Sequence, residues 1–172
     1  MASLMEELIN TLEKESVIYE RLLELAEKKT PVIVKGDIAN LQKITDEEQI
    51  VVDQIAVLEK KRETVTADIA NVINKDVETL KLTHLIELLS NQPKEKKRLS
   101  EVHDRLKSVV TQVRMINEHN QDLIAHSLEM VEFDLNMIQA MRQAPETANY
   151  GKGGYNSGDM LGSPMTGFDA KQ

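Results

Sequence analysis

The chain has 172 residues, a formal net charge of −8 and no Cys or Trp. Such an acidic chain has no general attraction to nucleic acid or anionic membranes, and without Cys it has neither disulfides nor thiol chemistry. Aromatic residues make up 3% of the sequence and charged residues 29%, a balance that favours long helices over a β-sandwich or a doubly wound sheet.

The start of the chain, residues 1–15, lacks the basic segment and the unbroken apolar segment of a secretory signal. No stretch of the sequence approaches the roughly 18 apolar residues that a membrane span needs. We therefore expect a cytoplasmic protein with no nucleic-acid partner and no stable membrane association.

The first predicted helix runs from about Ser3 to Lys29. Ser3 and Glu6 have the spacing of a capping box. Thr30-Pro31 is predicted to interrupt this helix, because Thr30 can cap a new turn that has Pro31 at its first position. Apolar residues at helical spacing form its stripe: Met5, Leu8, Leu12, Tyr19, Leu22, Leu23 and Ala26.

Gly36-Asp37 is the sharpest boundary in the helical part of the sequence. Gly36 fits the left-handed residue that ends a helix, and Asp37 fits the N-cap of the next one. So short a connection predicts two antiparallel neighbours. The second helix is expected from Ile38 to about Asn74, with the stripe Ile38, Leu41, Val52, Ile55, Leu58, Val65, Ile69 and Val72.

Three polar residues, Thr45, Glu48 and Arg62, fall on or beside the stripe of the second helix. In long bundles such residues pair across helices, reach solvent or fix the register. We expect these roles for them rather than an active site.

A connector and a short helix precede the last predicted helix. Thr83 is expected to cap a turn from His84 to Leu89, whose apolar residues would plug one end of the bundle. The last helix is predicted from Pro93 to about Arg142, close to 50 residues or about 75 Å. It exceeds the second helix by about 13 residues, so its end is expected to extend past its neighbours or to lie against the first helix only.

The two halves of the last predicted helix differ on one flank of the apolar stripe. In the first half, the residues that follow one another at intervals of seven along this flank are polar and expected to be solvated: Arg98, Arg105 and Gln112. In the second half the same flank is apolar. The wider apolar arc fits either contact with both other helices of a bundle or a surface for a partner. The candidate partner-binding residues are Leu123, Ile124, Leu128, Met130, Val131, Leu135, Met137, Ile138 and Met141.

The last segment, residues 144–172, holds six of the seven Gly and two of the four Pro. Such a segment cannot bury enough apolar surface to offset its ordering entropy. The sequence thus predicts an all-α fold: an elongated antiparallel bundle of three long helices and one short helix over residues 1–143, followed by a disordered Gly/Pro-rich tail over residues 144–172.

Patterns typical of catalysis or metal binding are missing from the sequence. His119 and His126 each lie within a turn of Asp122, but exposed helical groups with this spacing are common. No HExxH motif, glycine-rich phosphate loop or nucleophile elbow is present. We expect no enzyme activity, no metal and no cofactor.

The segment from Leu22 to Arg62 resembles the FlgN family of flagellar export chaperones. Three groups of residues in it carry the resemblance: Lys35-Gly36-Asp37, Thr45 with Glu47-Glu48-Gln49, and Leu58-Glu59 with Arg62. Further matches are Asn117–Asn120 with Leu123-Ile124 and Ser127-Leu128, then Tyr150–Gly154 and Phe168–Lys171. Together they cover nearly the whole chain in the same order.

The resemblance implies a cytoplasmic, all-helical, non-enzymatic chaperone. Proteins of this family bind the hook–filament junction proteins FlgK and FlgL before export and recognise their C-terminal helical segments. They deliver this cargo to components of the type III export gate. The alternative, from a different class, is a structural coiled-coil dimer or scaffold protein that has no export cargo.

The tail predicted from composition can be tested by limited proteolysis. Because residues 144–172 are rich in Gly and Pro, we expect a protease to remove them and to leave a folded core of about the first 143 residues. Slow amide exchange within this segment would contradict the prediction.

Overall fold

The structure is a computed structural model that describes residues 2–77 and 80–143. Within them lie four α-helices: α1 (Ala2–Lys35), α2 (Ile38–Ile73), α3 (Leu82–Leu88) and α4 (Pro93–Gln143). A short 3-10 turn, Leu89–Asn91, follows α3. No strand occurs in the described residues. The prediction of an all-α fold with three long helices and one short helix is confirmed. The predicted tail, residues 144–172, lies outside the described residues.

The chain divides into two compact units. The first spans residues 1–132 and holds α1, α2, α3 and most of α4. The described part of the second, residues 133–143, is the last part of α4.

Contacts between side chains give the helix directions in the first unit. Early residues of α1 face late residues of α2, as in the pair Glu15–Arg62, so these helices are antiparallel. Early residues of α1 face early residues of α4 and later ones face later ones, as in Arg98–Glu6 and Arg105–Glu20. α4 is therefore parallel to α1 and antiparallel to α2.

The boundary between α1 and α2 forms as predicted. Gly36 has φ of +66°, a conformation that costs Gly little because it has no Cβ. The Asp37 side chain accepts a hydrogen bond of 3.1 Å from the backbone N–H of Asn40 and so caps α2. Pro93 is the first residue of α4, where its missing N–H leaves no hydrogen bond unmade.

The predicted interruption at Thr30-Pro31 is wrong, because α1 continues through Pro31 to Lys35. A proline inside a helix removes one backbone hydrogen bond. Continuing the helix buries Ile33, which is only 6% exposed. The apolar surface removed from water offsets part of the cost.

Two predicted caps are also wrong. Ser3 lies inside the first turn of α1 rather than at its N-cap, and the first turn of a helix can be satisfied by water at an exposed end. Thr83 lies inside α3, whose N-cap is Lys81. The carbonyl of Lys81 accepts hydrogen bonds from the N–H groups of His84 and Leu85, so the backbone itself closes this turn.

The core of the first unit consists of two apolar clusters. The first cluster joins all four helices and their connector: Met5, Leu8, Ile9, Leu12, Val65, Ile69, Ala70, Leu80, Leu85, Leu89, Leu99 and Val102. The second joins the three long helices: Leu22, Leu25, Val51, Ile55 and Val113. Leu85 and Leu89 are buried in the first cluster as the predicted plug, whereas Leu88 is 45% exposed.

The predicted stripe of α2 is only partly buried. Ile38, Val52 and Val72 are exposed, and Val51 is buried in place of Val52. An ideal α-helix drifts by about 20° per heptad against a strict seven-residue repeat. Over 36 residues this drift moves the buried face, so a stripe extrapolated by steps of three and four leaves the core at both ends and at Val52.

A polar layer separates the two clusters. Glu15 is 1% exposed, and Arg62 Nε donates a hydrogen bond of 3.0 Å to its carboxylate. The Tyr19 hydroxyl donates to Glu59 over 3.1 Å. Burial raises the pKa of Glu15 even though Arg62 opposes the shift, and burial together with Glu59 raises the pKa of Tyr19 to about 12.

The pairing expected for the polar residues of the second helix is confirmed at two positions. Arg62 binds Glu15, and Glu48 forms an ion pair with Lys29 in which both side chains are mostly buried. The Thr45 hydroxyl instead donates to the Leu41 carbonyl of its own helix over 2.9 Å. Two of the three residues thus link α1 to α2 and fix the register between them.

Replacing Arg62 by Met tests the polar layer. The change leaves the Glu15 carboxylate buried and unpaired, so we expect the free energy of unfolding at pH 7 to fall by about 3 kcal/mol. A carboxyl whose pKa is raised by folding stabilises the folded state below that pKa and ceases to do so as the pH rises through it. The deficit of Arg62→Met relative to the unaltered protein should therefore shrink between pH 7 and pH 5.

Urea unfolding at the two pH values measures this deficit. The matched control is Glu15→Leu with Arg62→Met, which removes both charges and should recover most of the lost stability. A deficit that grows on acidification would show that Glu15 does not carry the effect.

Candidate partner-binding surface

The first half of α4 packs against the bundle through its apolar stripe. Leu99, Val102, Val109 and Val113 are all less than a tenth exposed. Their spacing of three, seven and four residues keeps them on one face of the helix. This half of the stripe is therefore core.

The arginines expected to be solvated on the flank of this stripe form ion pairs with α1. Arg98 donates to Glu6 over 2.8 Å and to Glu13 over 3.0 Å. Arg105 holds Glu20 with two hydrogen bonds, of 2.6 and 2.7 Å. These hydrogen bonds raise the pKa of both arginines. Because such pairs remain open to water, they contribute less to stability than to the alignment of the helices.

Asn120 is the last buried residue of α4, at 3% exposure. Its Nδ2 donates a hydrogen bond of 2.9 Å to the carbonyl of Ala26, and its Oδ1 accepts one of 2.7 Å from the Thr30 hydroxyl. Both partners lie on α1, just before Pro31. A buried amide is stable only with its hydrogen bonds made, so this contact fixes where α4 lies along α1.

Beyond Asn120 the apolar stripe continues but its burial ends. Leu123 is half-buried, and every described residue of α4 from Ile124 onward is exposed. In the first unit the exposed members of the predicted surface are Ile124, Leu128, Met130 and Val131. Leu128 is 60% and Val131 is 53% exposed, although the same spacing of three residues buries Leu99 and Val102. Met130, on the flank of the stripe, is 69% exposed.

The part of α4 in the second unit carries the other predicted residues: Leu135, Met137, Ile138 and Met141. They are between 46% and 70% exposed. Sequence reasoning missed Phe133, which is 63% exposed. Phe133 lies three residues after Met130 and four before Met137, a spacing that places it on the same ridge. That spacing is the signal in the sequence from which Phe133 could have been predicted.

The charges beside the exposed residues are of one sign. Between Glu118 and Glu132 the sequence has four acidic residues and no Lys or Arg. Glu118, Asp122, Glu129 and Glu132 fall along one edge of the helix when plotted at 100° per residue. The surface therefore presents apolar ridges bordered by an acidic edge, which suits an amphipathic segment with basic residues.

Neither a metal-binding cluster nor a membrane helix was found in the described part of the chain. Among residues 2–77 and 80–143, no three His, Cys, Asp or Glu side chains converge on a common point. His126 lies 3.6 Å from Glu129, as a pair on one helix. None of the helices in those residues is long and apolar enough to cross a membrane.

A helical bundle whose longest helix leaves an apolar face uncovered has the features of proteins that bind other proteins through a helix surface. A match to a known protein family identifies the class more closely. The model of the FlgN protein family matches residues 1–158. The chain belongs to the FlgN family, the family of flagellar export chaperones.

A relative from Bacillus subtilis (strain 168), the "Uncharacterized protein YvyG", is 24% identical over 132 residues. This match covers 76% of the chain and 78% of the relative. No solved structure matches the chain.

Removing the Asn120 amide tests whether it anchors α4. In Asn120→Ala the carbonyl of Ala26 loses a buried partner, so we expect the free energy of unfolding to fall by about 1–3 kcal/mol. Gln121→Ala, an exposed neighbour, is the control and should change stability by less than about 0.5 kcal/mol. Chemical denaturation of both variants gives the two values. Equal values would mean that the buried amide contributes no more than a surface residue.

Proposed function

We propose that this protein is a cytoplasmic export chaperone that binds the hook–filament junction proteins FlgK and FlgL through the exposed part of α4. One observation supports this site above the others. The apolar stripe of α4 keeps its helical spacing past Asn120, while burial of that stripe stops there. Apolar surface of this extent without a cover marks an interaction site.

The binding mode follows from the shape of the surface. An amphipathic cargo helix can lie along the first-unit part of α4 with its own apolar residues between the ridge of Ile124, Leu128 and Val131 and the side chain of Met130. Met side chains have three rotatable bonds and adapt to more than one partner. This adaptability fits a chaperone that accepts two different junction proteins.

The chaperone would cover the C-terminal segments of the cargo without completing their folding. Such segments are apolar on one face and prone to associate before assembly. Covering that face on α4 prevents premature contacts. Because the cargo segment becomes ordered on binding, part of the interaction energy is spent on that ordering, and the affinity stays moderate. Moderate affinity suits release of the cargo to the export gate.

A structural dimer or scaffold is the competing function. It would pair its own α4 surfaces and bind no cargo. Purification of the protein together with FlgK or FlgL from its host separates the two functions, since only a chaperone forms a one-to-one complex with cargo.

Charged residues in the Met ridge test the proposed site. Met130→Glu with Met137→Glu should abolish binding of the purified C-terminal segments of FlgK and FlgL in titration calorimetry. The melting temperature should stay within a few degrees of the unaltered protein, because both side chains are about half or more exposed.

The control is Leu99→Glu, which places an unpaired charge at a position with 0% exposure and should unfold the bundle. A double variant that unfolds like Leu99→Glu would make the ridge part of the core. A folded double variant that binds cargo normally would place the site elsewhere.

A further inference from the structure

A second apolar surface lies between α1 and α2, within the first unit. It is an open groove of about 760 Å³. Val17, Ile18, Val57 and Leu58 supply its apolar lining. Val17 is 55% and Val57 is 70% exposed. Gln54 also lines an adjoining cavity of about 240 Å³ that reaches Ile50, itself 60% exposed.

Each end of this groove carries an ion pair between α1 and α2, and the charged side chains of Glu13 and Lys14 line its middle. At one end Lys61 of α2 pairs with Glu7 of α1 over 3.0 Å. At the other end Arg21 of α1 lies 3.6 Å from Glu47 of α2 and 3.4 Å from Glu24 of its own helix. The four side chains of the two ion pairs between α1 and α2 are about half exposed. Gln54 lies midway between the two ends along α2.

This charge pattern is complementary to itself. We propose that the α1–α2 face binds the same face of a second copy of this chain about a two-fold axis. If the axis runs along the helices, Glu7 of one copy faces Lys61 of the other, and Arg21 faces Glu47. An axis across the helices would also place Glu7 against Arg21 and Lys61 against Glu47, but it would bring Lys14, midway between Glu7 and Arg21 on α1, against its own counterpart. The arrangement with the axis along the helices is therefore the one that places acids on bases without opposing like charges at Lys14.

The pattern favours a second copy over a foreign segment. The groove and its ends carry four acids and three bases, so they have little net charge with which to select a basic or an acidic partner helix. A two-fold contact is built from one patch that must complement itself, and this patch does. The contact would cover Val17, Ile50 and Val57, whose exposure is otherwise unexplained by the core. Because the apolar area is small for a permanent dimer, we expect a reversible one.

Sedimentation velocity of the full chain tests the proposal without any cargo. Between about 1 and 200 µM we expect a shift from monomer to dimer, the range in which weak interfaces associate. Val57→Glu puts a charge into the groove and should weaken association at least tenfold. Val34→Glu is the matched control, because Val34 is equally exposed, at 69%, but does not line the groove. It should associate like the unaltered protein.

The absence of Cys from the chain allows a direct test of the surface used. Gln54→Cys should be joined to its counterpart by a short bis-maleimide, and adding Val57→Glu should prevent this. Lys107→Cys, at an exposed position of α4, is the control and should cross-link at the background rate.

Three results would overturn the proposal. The first is a monomer over the whole concentration range with equal cross-linking of both Cys variants. The second is a dimer that survives Val57→Glu. The third is a protein that stays monomeric but loses binding of the junction proteins when Val57→Glu is introduced, which would make the groove a cargo site. Loss of the dimer alone leaves the cargo site on α4 untouched, since that site does not include the groove.

Discussion

The burial of α4 ends at Asn120, and the properties of this protein follow from that limit. The Asn120 amide is held on α1 by Ala26 and Thr30. Before it, the stripe of α4 is core, and after it an equally apolar stripe is open to water. One helix thus stabilises the bundle with its first half and leaves the apolar stripe of its second half exposed. The helix has no Pro or Gly after Pro93, so no break in the helix marks this change, and only the apolar flank of the second half indicates it in the sequence.

The polar layer around Glu15 and Arg62 limits how the long helices can align. Leu, Ile and Val residues on long helices pack almost as well after a shift by one turn, so apolar stripes alone specify register weakly. A shift here would leave the Glu15 carboxylate buried without Arg62, which is costly. The Lys29–Glu48 pair adds a second such restraint between the same helices.

The two exposed apolar surfaces differ in the partners that their charges permit. The edge of the α4 surface is acidic, with Glu118, Asp122, Glu129 and Glu132 and no nearby Lys or Arg up to residue 132. The groove between α1 and α2 is bordered by ion pairs that present both signs of charge. An acidic edge can steer a basic segment and raise its association rate, whereas a border of both signs can complement a second copy of itself. The two proposed contacts use different surfaces, so one would not block the other.

The sequence by itself determined what local chemistry controls: the helical class, the boundary at Gly36-Asp37, the start of α4 at Pro93 and the apolar ridge of Met130 and Met137. Helical periodicity, left-handed Gly and the missing N–H of Pro act within a few residues. It did not determine features that depend on distant partners. Arg62 forms a hydrogen bond with Glu15, which is 47 positions away in the sequence, and Asn120 forms one with Thr30, which is 90 positions away. The continuation of α1 through Pro31 depends on the burial of Ile33, which local rules for proline ignore. Exposure of the ridge was also decided by the tertiary structure, because spacing gives the face that a residue occupies but not whether another helix covers that face.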